Sequence, residues 1–134
     1  MSDEAWLRAF LETERALATA QAKVGVISQE AAAAVVAACA GDFDAAALAE
    51  AGRRAGNPVE PLVQALREHA EFVHWGATSQ DILDTAAALV AREATTLIAA
   101  ELDGVARACA ELADRHRSTV MAARTLLQQA LPTT

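Results

Sequence analysis

Apolar positions recur at helical spacing through most of this chain. Trp6, Leu7, Phe10, Leu11, Leu17 and Ala18 trace an i, i+3/i+4 stripe that Glu14 shares. Ser2, with Asp3 and Glu4 behind it, has the pattern of a capped helix start. The spacing predicts a helix running to about Val24 and ended by Gly25. Ser28 then caps an alanine-rich second helix over 31–39, closed by Gly41, and a weaker third spans about 43–54. Gly56, Asn57 and Pro58 break the chain, after which Val59, Leu62, Val63 and Leu66 resume helical spacing.

From Thr78 the character changes, because no proline and a single glycine, Gly104, occur before Arg117. Ile82, Ala86, Leu89, Leu97, Val105, Cys109 and Leu112 fall along one side of a continuous helix over about 78–116. Such a helix is roughly 55 to 60 Å long at about 1.5 Å per residue. A compact domain of this chain length has a radius of gyration of only about 14 Å. The apolar stripe is therefore expected to pack on other subunits or on helices further along the gene. Residues 118–123 read as an extended connection, and 131–134 do not resemble a natural domain end. The expected class is all-α: an N-terminal helical domain over 1–76, and over 77–134 the start of a multi-helix bundle.

Composition supports helices over sheets, since much of the 54% hydrophobic content is alanine, aromatics are 4% and tyrosine is absent. A net charge of -7, without a Lys/Arg cluster, argues against nucleic acid as a partner. Apolar runs such as 31–40 are too short to span a bilayer, so a soluble, cytoplasmic protein without a membrane partner is expected. Cys39 and Cys109 lack the spacing of a disulfide framework or a zinc site and read as small hydrophobes.

Candidate chemistry concentrates in two places. His74 precedes Trp75, Gly76, Ala77, Thr78 and Ser79, a loop with an imidazole and two hydroxyls that feeds a helix N-terminus. Thr78 with Asp81 fits a capping box, and Ser79 offers an alternative cap, so structure accounts for at least one hydroxyl. The positive end of a long helix, hydroxyl donors and a histidine together make a candidate carboxylate cradle. Arg124, Thr125, Gln128 and Gln129 form a second polar cluster, able to clamp a carboxylate or simply to be solvated turn residues. His69 and His116 lie among charged neighbours and receive no role. Asp42 with Asp44, and Glu68 with Glu71, read as helix-start and surface charges; no metal site is indicated.

Three segments carry a family resemblance: GNPVEPLV at 56–63, VHWGATSQDILDTA at 73–86 and RTLLQQALPTT at 124–134. In order and spacing they resemble the fumarase/aspartase superfamily, and most closely the bacterial 3-carboxy-cis,cis-muconate cycloisomerases of protocatechuate breakdown. The resemblance implies a cofactor-free homotetramer whose long helices merge into a central bundle. Each active site is then assembled from three segments of three subunits, and this chain would hold two of them. The third, a serine-rich loop of the form SSxMPxKxNP with the catalytic base, would lie downstream, so the chain alone is expected to be inactive. His74, Thr78 and Ser79 are implied as catalytic, with Asn57, Arg124, Thr125 and Gln128 binding a small tricarboxylate.

In the implied reaction a substrate carboxylate closes onto a carbon of its own diene while the neighbouring carbon gains a proton, giving 4-carboxymuconolactone. Relatives such as adenylosuccinate lyase and fumarase have a histidine where this chain has Leu126, which argues against their activities. Ala123 stands where glycine is common, and Glu60 where an aliphatic residue is usual. The alternatives are an adenylosuccinate-lyase-like β-elimination enzyme and a non-catalytic helical module whose long helix drives oligomerisation.

Overall fold

A computed structural model describes residues 2–134. Among these residues the order is α1 (Asp3–Lys23), α2 (Gln29–Ala38), α3 (Ala45–Ala55), α4 (Val59–Arg67), α5 (Ser79–Arg115), β1 (Met121–Thr125) and β2 (Gln128–Thr133). The chain is mostly helical, as its spacing predicts, and every expected helix is present. Among the described residues no helix is long and apolar enough to cross a membrane.

Local chemistry sets the helix ends. Ser2 Oγ accepts from the Ala5 N–H, Ser28 Oγ from that of Ala31, and an Asp44 oxygen from that of Ala47. Each satisfies one amide that a helix start leaves without an intrahelical partner. At the end of α1, Gly25 adopts φ +79°. Its N–H bonds to Ala22 O and that of Val26 to Gln21 O, the paired closure of a Schellman motif.

The chain forms two compact units, Met1–Ala94 and Thr95–Thr134. In the first, α1 packs on α2 and α3, and α3 on α4. Its core centres on Leu62, Leu66, Val35, Val59, Val73 and Ile82, all buried. Each buried aliphatic side chain stabilises by about 1.5–3 kcal/mol through removal of its surface from water. The helix α5 joins this core through the buried Ile82, Ala86 and Val90, one residue per turn over its first three turns, with Leu83 and Leu89 partly buried beside them. Gly52 permits the close approach of α3 to the 56–58 turn, since a Cβ there would lie 2.9 Å from the Pro58 Cα.

In the second unit the remainder of α5 exposes Leu97, Ile98, Leu102, Val105 and Leu112, each at least half accessible. Ile98, Leu102, Val105, Cys109 and Leu112 follow alternating steps of four and three, the seam of a helix that packs along another helix. The extended connection expected near 118–123 is the entry to a hairpin, which an all-α reading does not include. The strands β1 and β2 pair antiparallel, with Thr125 opposite Gln128 and Arg124 opposite Gln129, and the register shifts between Ala122 and Arg124. The two turn residues, Leu126 and Leu127, have φ +47° and +65°. Positive φ at both central positions matches the strand twist of a tight hairpin, but costs an L-residue about 1–2 kcal/mol each.

Replacing an interior helical glycine by alanine ordinarily helps the helix by about 1 kcal/mol. Because the new methyl of Gly52→Ala meets backbone at Pro58, that substitution should instead destabilise by about 1–3 kcal/mol. Urea unfolding followed by circular dichroism checks the sign.

Candidate active site

The site is built where the turn after α4 enters α5. Residues 74–77 close a turn in which the Ala77 N–H donates to His74 O at 3.4 Å, and Gly76 has φ +66°. His74 itself has φ +59°, unusual for a residue with a Cβ. Backbone strain of this kind persists only where surrounding contacts over-determine it. Here the contact is Glu14 of α1, whose side chain is fully buried. One Glu14 oxygen accepts from the His74 backbone N–H at 3.1 Å, and the other lies 2.6 Å from His74 Nδ1. A buried carboxylate without partners is very costly, and these two contacts supply them.

A second tether comes from the same helix. Gln21 Nε2 donates to Trp75 O at 2.6 Å, while the Trp75 ring packs at 5.1 Å from that of Phe72. The loop is thus held from both ends of the α1 face that it covers.

Thr78 forms the expected capping box with Asp81. Its N–H and hydroxyl donate to the same Asp81 oxygen at 2.8 and 2.9 Å, and the Asp81 N–H returns to Thr78 Oγ1 at 3.4 Å. The backbone and side-chain bonds from Thr78 hold the Asp81 carboxyl below the usual carboxylate range, helped by the nearby His74. The Thr78 hydroxyl therefore already has a structural partner. Ser79, the first residue of α5, is half-buried and, among the described residues, its hydroxyl has no hydrogen-bond partner.

The other residues expected at the site are placed differently. Asn57 Oδ1 accepts from the Val59 N–H at 2.9 Å and so caps the turn into α4. No hydrogen bond links it to His74, Thr78 or Ser79 among the described residues. Arg124, Thr125 and Gln128 are exposed on the hairpin of the second unit, Thr125 directly across from Gln128. Of the histidines without an expected role, His69 is exposed and His116 faces Thr119 Oγ1 at 3.2 Å.

Sequence reasoning missed Glu14 as a site residue. The signal was present: it is the one carboxylate on the apolar stripe of α1, where a charge has no reason to be unless something buried answers it. Cys39, half-buried between α2 and its neighbours, has its thiol pushed up to about 11 by burial and by the Glu14 charge.

A family profile described as lyase matches residues 2–134. The chain belongs to this lyase family. The expected kinship with fumarase- and cycloisomerase-type enzymes is borne out by individual relatives. The chain is 50% identical over 143 residues to nitrosuccinate lyase of Streptomyces davaonensis, covering all of this chain and 30% of the relative. It is 48% identical over 139 residues to 3-carboxy-cis,cis-muconate cycloisomerase of Bradyrhizobium diazoefficiens, covering 97% of this chain and 31% of the relative. The crystal structure of the 3-carboxy-cis,cis-muconate lactonizing enzyme from Pseudomonas putida superimposes with a TM-score of 0.90 at 42% identity, over 98% of this chain and 32% of that one. The chain thus spans just under a third of the length of the curated relatives it matches.

The two hydroxyls of the loop separate cleanly by role. Thr78→Ala should cost about 0.5–2 kcal/mol through the lost cap, whereas Ser79→Ala should leave stability within about 0.5 kcal/mol. Thermal unfolding of the two variants side by side makes the comparison.

Proposed function

We propose that this chain contributes two of the active-site segments of a cytoplasmic homotetramer that converts 3-carboxy-cis,cis-muconate to 4-carboxymuconolactone. The observation that carries the reading is the histidine loop itself: an imidazole fixed by Glu14, followed by a free Ser79 hydroxyl at the start of α5. The likeness to several cycloisomerases over nearly the whole chain supports the substrate. Residues 77–134 open the central bundle domain in this reading, and the chain by itself does not turn over substrate.

The ring closure forms a C–O bond from a substrate carboxylate to one diene carbon, and the displaced π electrons take a proton at the neighbouring carbon. Negative charge grows on the carboxylate beside that carbon, so preorganised donors matter most. Ser79 and the unpaired first amides of α5 donate to it, aided by the positive end of the helix. Thr78 holds the helix start and reaches substrate only by exchanging its Asp81 bond. His74 moves the proton or pairs with a second carboxylate. Arg124, Thr125 and Gln128 bind from the hairpin of another subunit, with the Arg124 guanidinium offsetting the net negative charge of the chain. Asn57 acts by shaping the turn before α4.

A second reading follows from the nitrosuccinate lyase relative, which matches the entire chain at 50% identity. Nitrosuccinate also presents carboxylates, and the same donors at α5 suit it. The full-length enzyme, assayed with 3-carboxy-cis,cis-muconate and with nitrosuccinate, decides. Consumption of the first with lactone formation, and a fall in kcat/KM on the order of 10²-fold in Ser79→Ala, is expected. Turnover of nitrosuccinate alone would replace the cycloisomerase reading.

The exposed seam on α5 supports assembly through helix packing. Leu102→Glu in the full-length enzyme is expected to break the tetramer into smaller species, as measured by light scattering after gel filtration. An unchanged mass would move the subunit contacts elsewhere.

A further inference from the structure

We infer that Glu14 is the positioning residue of the histidine loop, selecting the His74 tautomer that carries its proton on Nδ1 and leaves Nε2 as the working nitrogen. This deepens the reading above and rests on it only where the reaction is concerned. Four observations on α1 and the loop converge on it.

Glu14 is buried to exclusion of solvent, and its two oxygens are both spoken for by one residue, His74. The backbone N–H of His74 can only donate, so the oxygen it meets at 3.1 Å must accept. The second oxygen of a carboxylate can also only accept, so Nδ1, 2.6 Å away, must bear hydrogen. A neutral imidazole then has its lone pair on Nε2. Finally, His74 holds φ +59°, a conformation that brings its N–H and its ring to the same carboxylate at once. The strained backbone and the ring orientation thus have one cause.

The arrangement is that of a carboxylate orienting an imidazole for proton transfer at its far nitrogen. The proton that His74 moves passes through Nε2, and the Glu14 charge stabilises the imidazolium formed when Nε2 takes it up. Glu14 never meets substrate. Its distance of 60 residues from His74 in sequence means that α1, a helix with no motif of its own, fixes the protonation geometry of the site.

Glu14→Gln tests this because an amide has only one accepting oxygen. That oxygen must face the fixed His74 N–H, which turns the amide NH2 toward Nδ1 and forces Nδ1 to accept. The tautomer therefore inverts, with hydrogen on Nε2. Long-range 1H–15N spectra of the full-length enzyme with labelled histidine, at a pH where the ring is neutral, read this directly. We expect Nδ1–H in the wild type and Nε2–H in Glu14→Gln. An Nε2–H wild type, or the same tautomer in both, overturns the assignment, and the wild-type spectrum decides even if the variant does not fold.

The kinetic arm uses the full-length enzyme. Glu14→Gln should lower kcat about 10-fold or more with KM little changed, and His74→Gln should lower it by about 10²- to 10⁴-fold. Adding Glu14→Gln to His74→Gln should then cost nothing further, because Glu14 acts through the ring. Multiplied losses in the double variant would show a separate structural role and overturn the inference. Failure of the wild-type enzyme to act on 3-carboxy-cis,cis-muconate would remove the functional reading, while the tautomer measurement would still decide the role of Glu14.

Discussion

The contact between the Glu14 carboxylate and His74 holds the organisation of the first unit together. It ties the middle of α1 to the loop that launches α5, and among the described residues it is the one place where a fully buried charge is answered by a residue far along the chain. Removing either partner leaves a buried polar group without compensation, a cost that surface ion pairs such as Arg8 with Glu93 do not carry. Around this contact, Gln21 holds the Trp75 carbonyl and Val73 fills the core, so the loop is rigid although it has few regular hydrogen bonds of its own. A rigid loop is what catalytic positioning requires, since small displacements of a proton-transferring group are expensive in rate.

The second constraint is unburied apolar surface. Beyond Ala94, α5 carries a regular seam of aliphatic side chains that this chain leaves in water, and the hairpin exposes Leu126, Leu127 and Leu131 almost entirely. A two-stranded hairpin is marginal by itself. Helix seam and hairpin both call for partners, and the proposed tetramer supplies them. Among the described residues the side chains of Arg124, Thr125 and Gln128 make no hydrogen bond, although their backbone lies in the hairpin ladder, and in the proposed tetramer their positions are set by what the hairpin packs against. In the proposed tetramer, catalysis and assembly are then one problem, because the helix with Ser79 at its start is also the helix that carries the apolar seam along its length.

What the sequence determined by itself is the local layer. Ser2, Ser28 and Asp44 as caps, Gly25 as a stop and the unbroken run of α5 all rest on contacts between residues within five positions of one another. Their energetics do not depend on the rest of the fold, so they are legible in the string of letters. The family kinship carried by the histidine loop was legible too, because its composition is dense in specific residues. Which hydroxyl is free was not: Thr78 and Ser79 both suit a cap, and only the path of the chain into α5 assigns Thr78 to Asp81. The pairing of Glu14 with His74 likewise depends on backbone paths. The hairpin turn at Leu126 and Leu127 lacks the glycine or asparagine that usually marks positive φ, and so gave no local sign. Tertiary structure alone decided these, since a contact across 60 residues depends on how α1 and the loop pack, and no short-range preference encodes that packing.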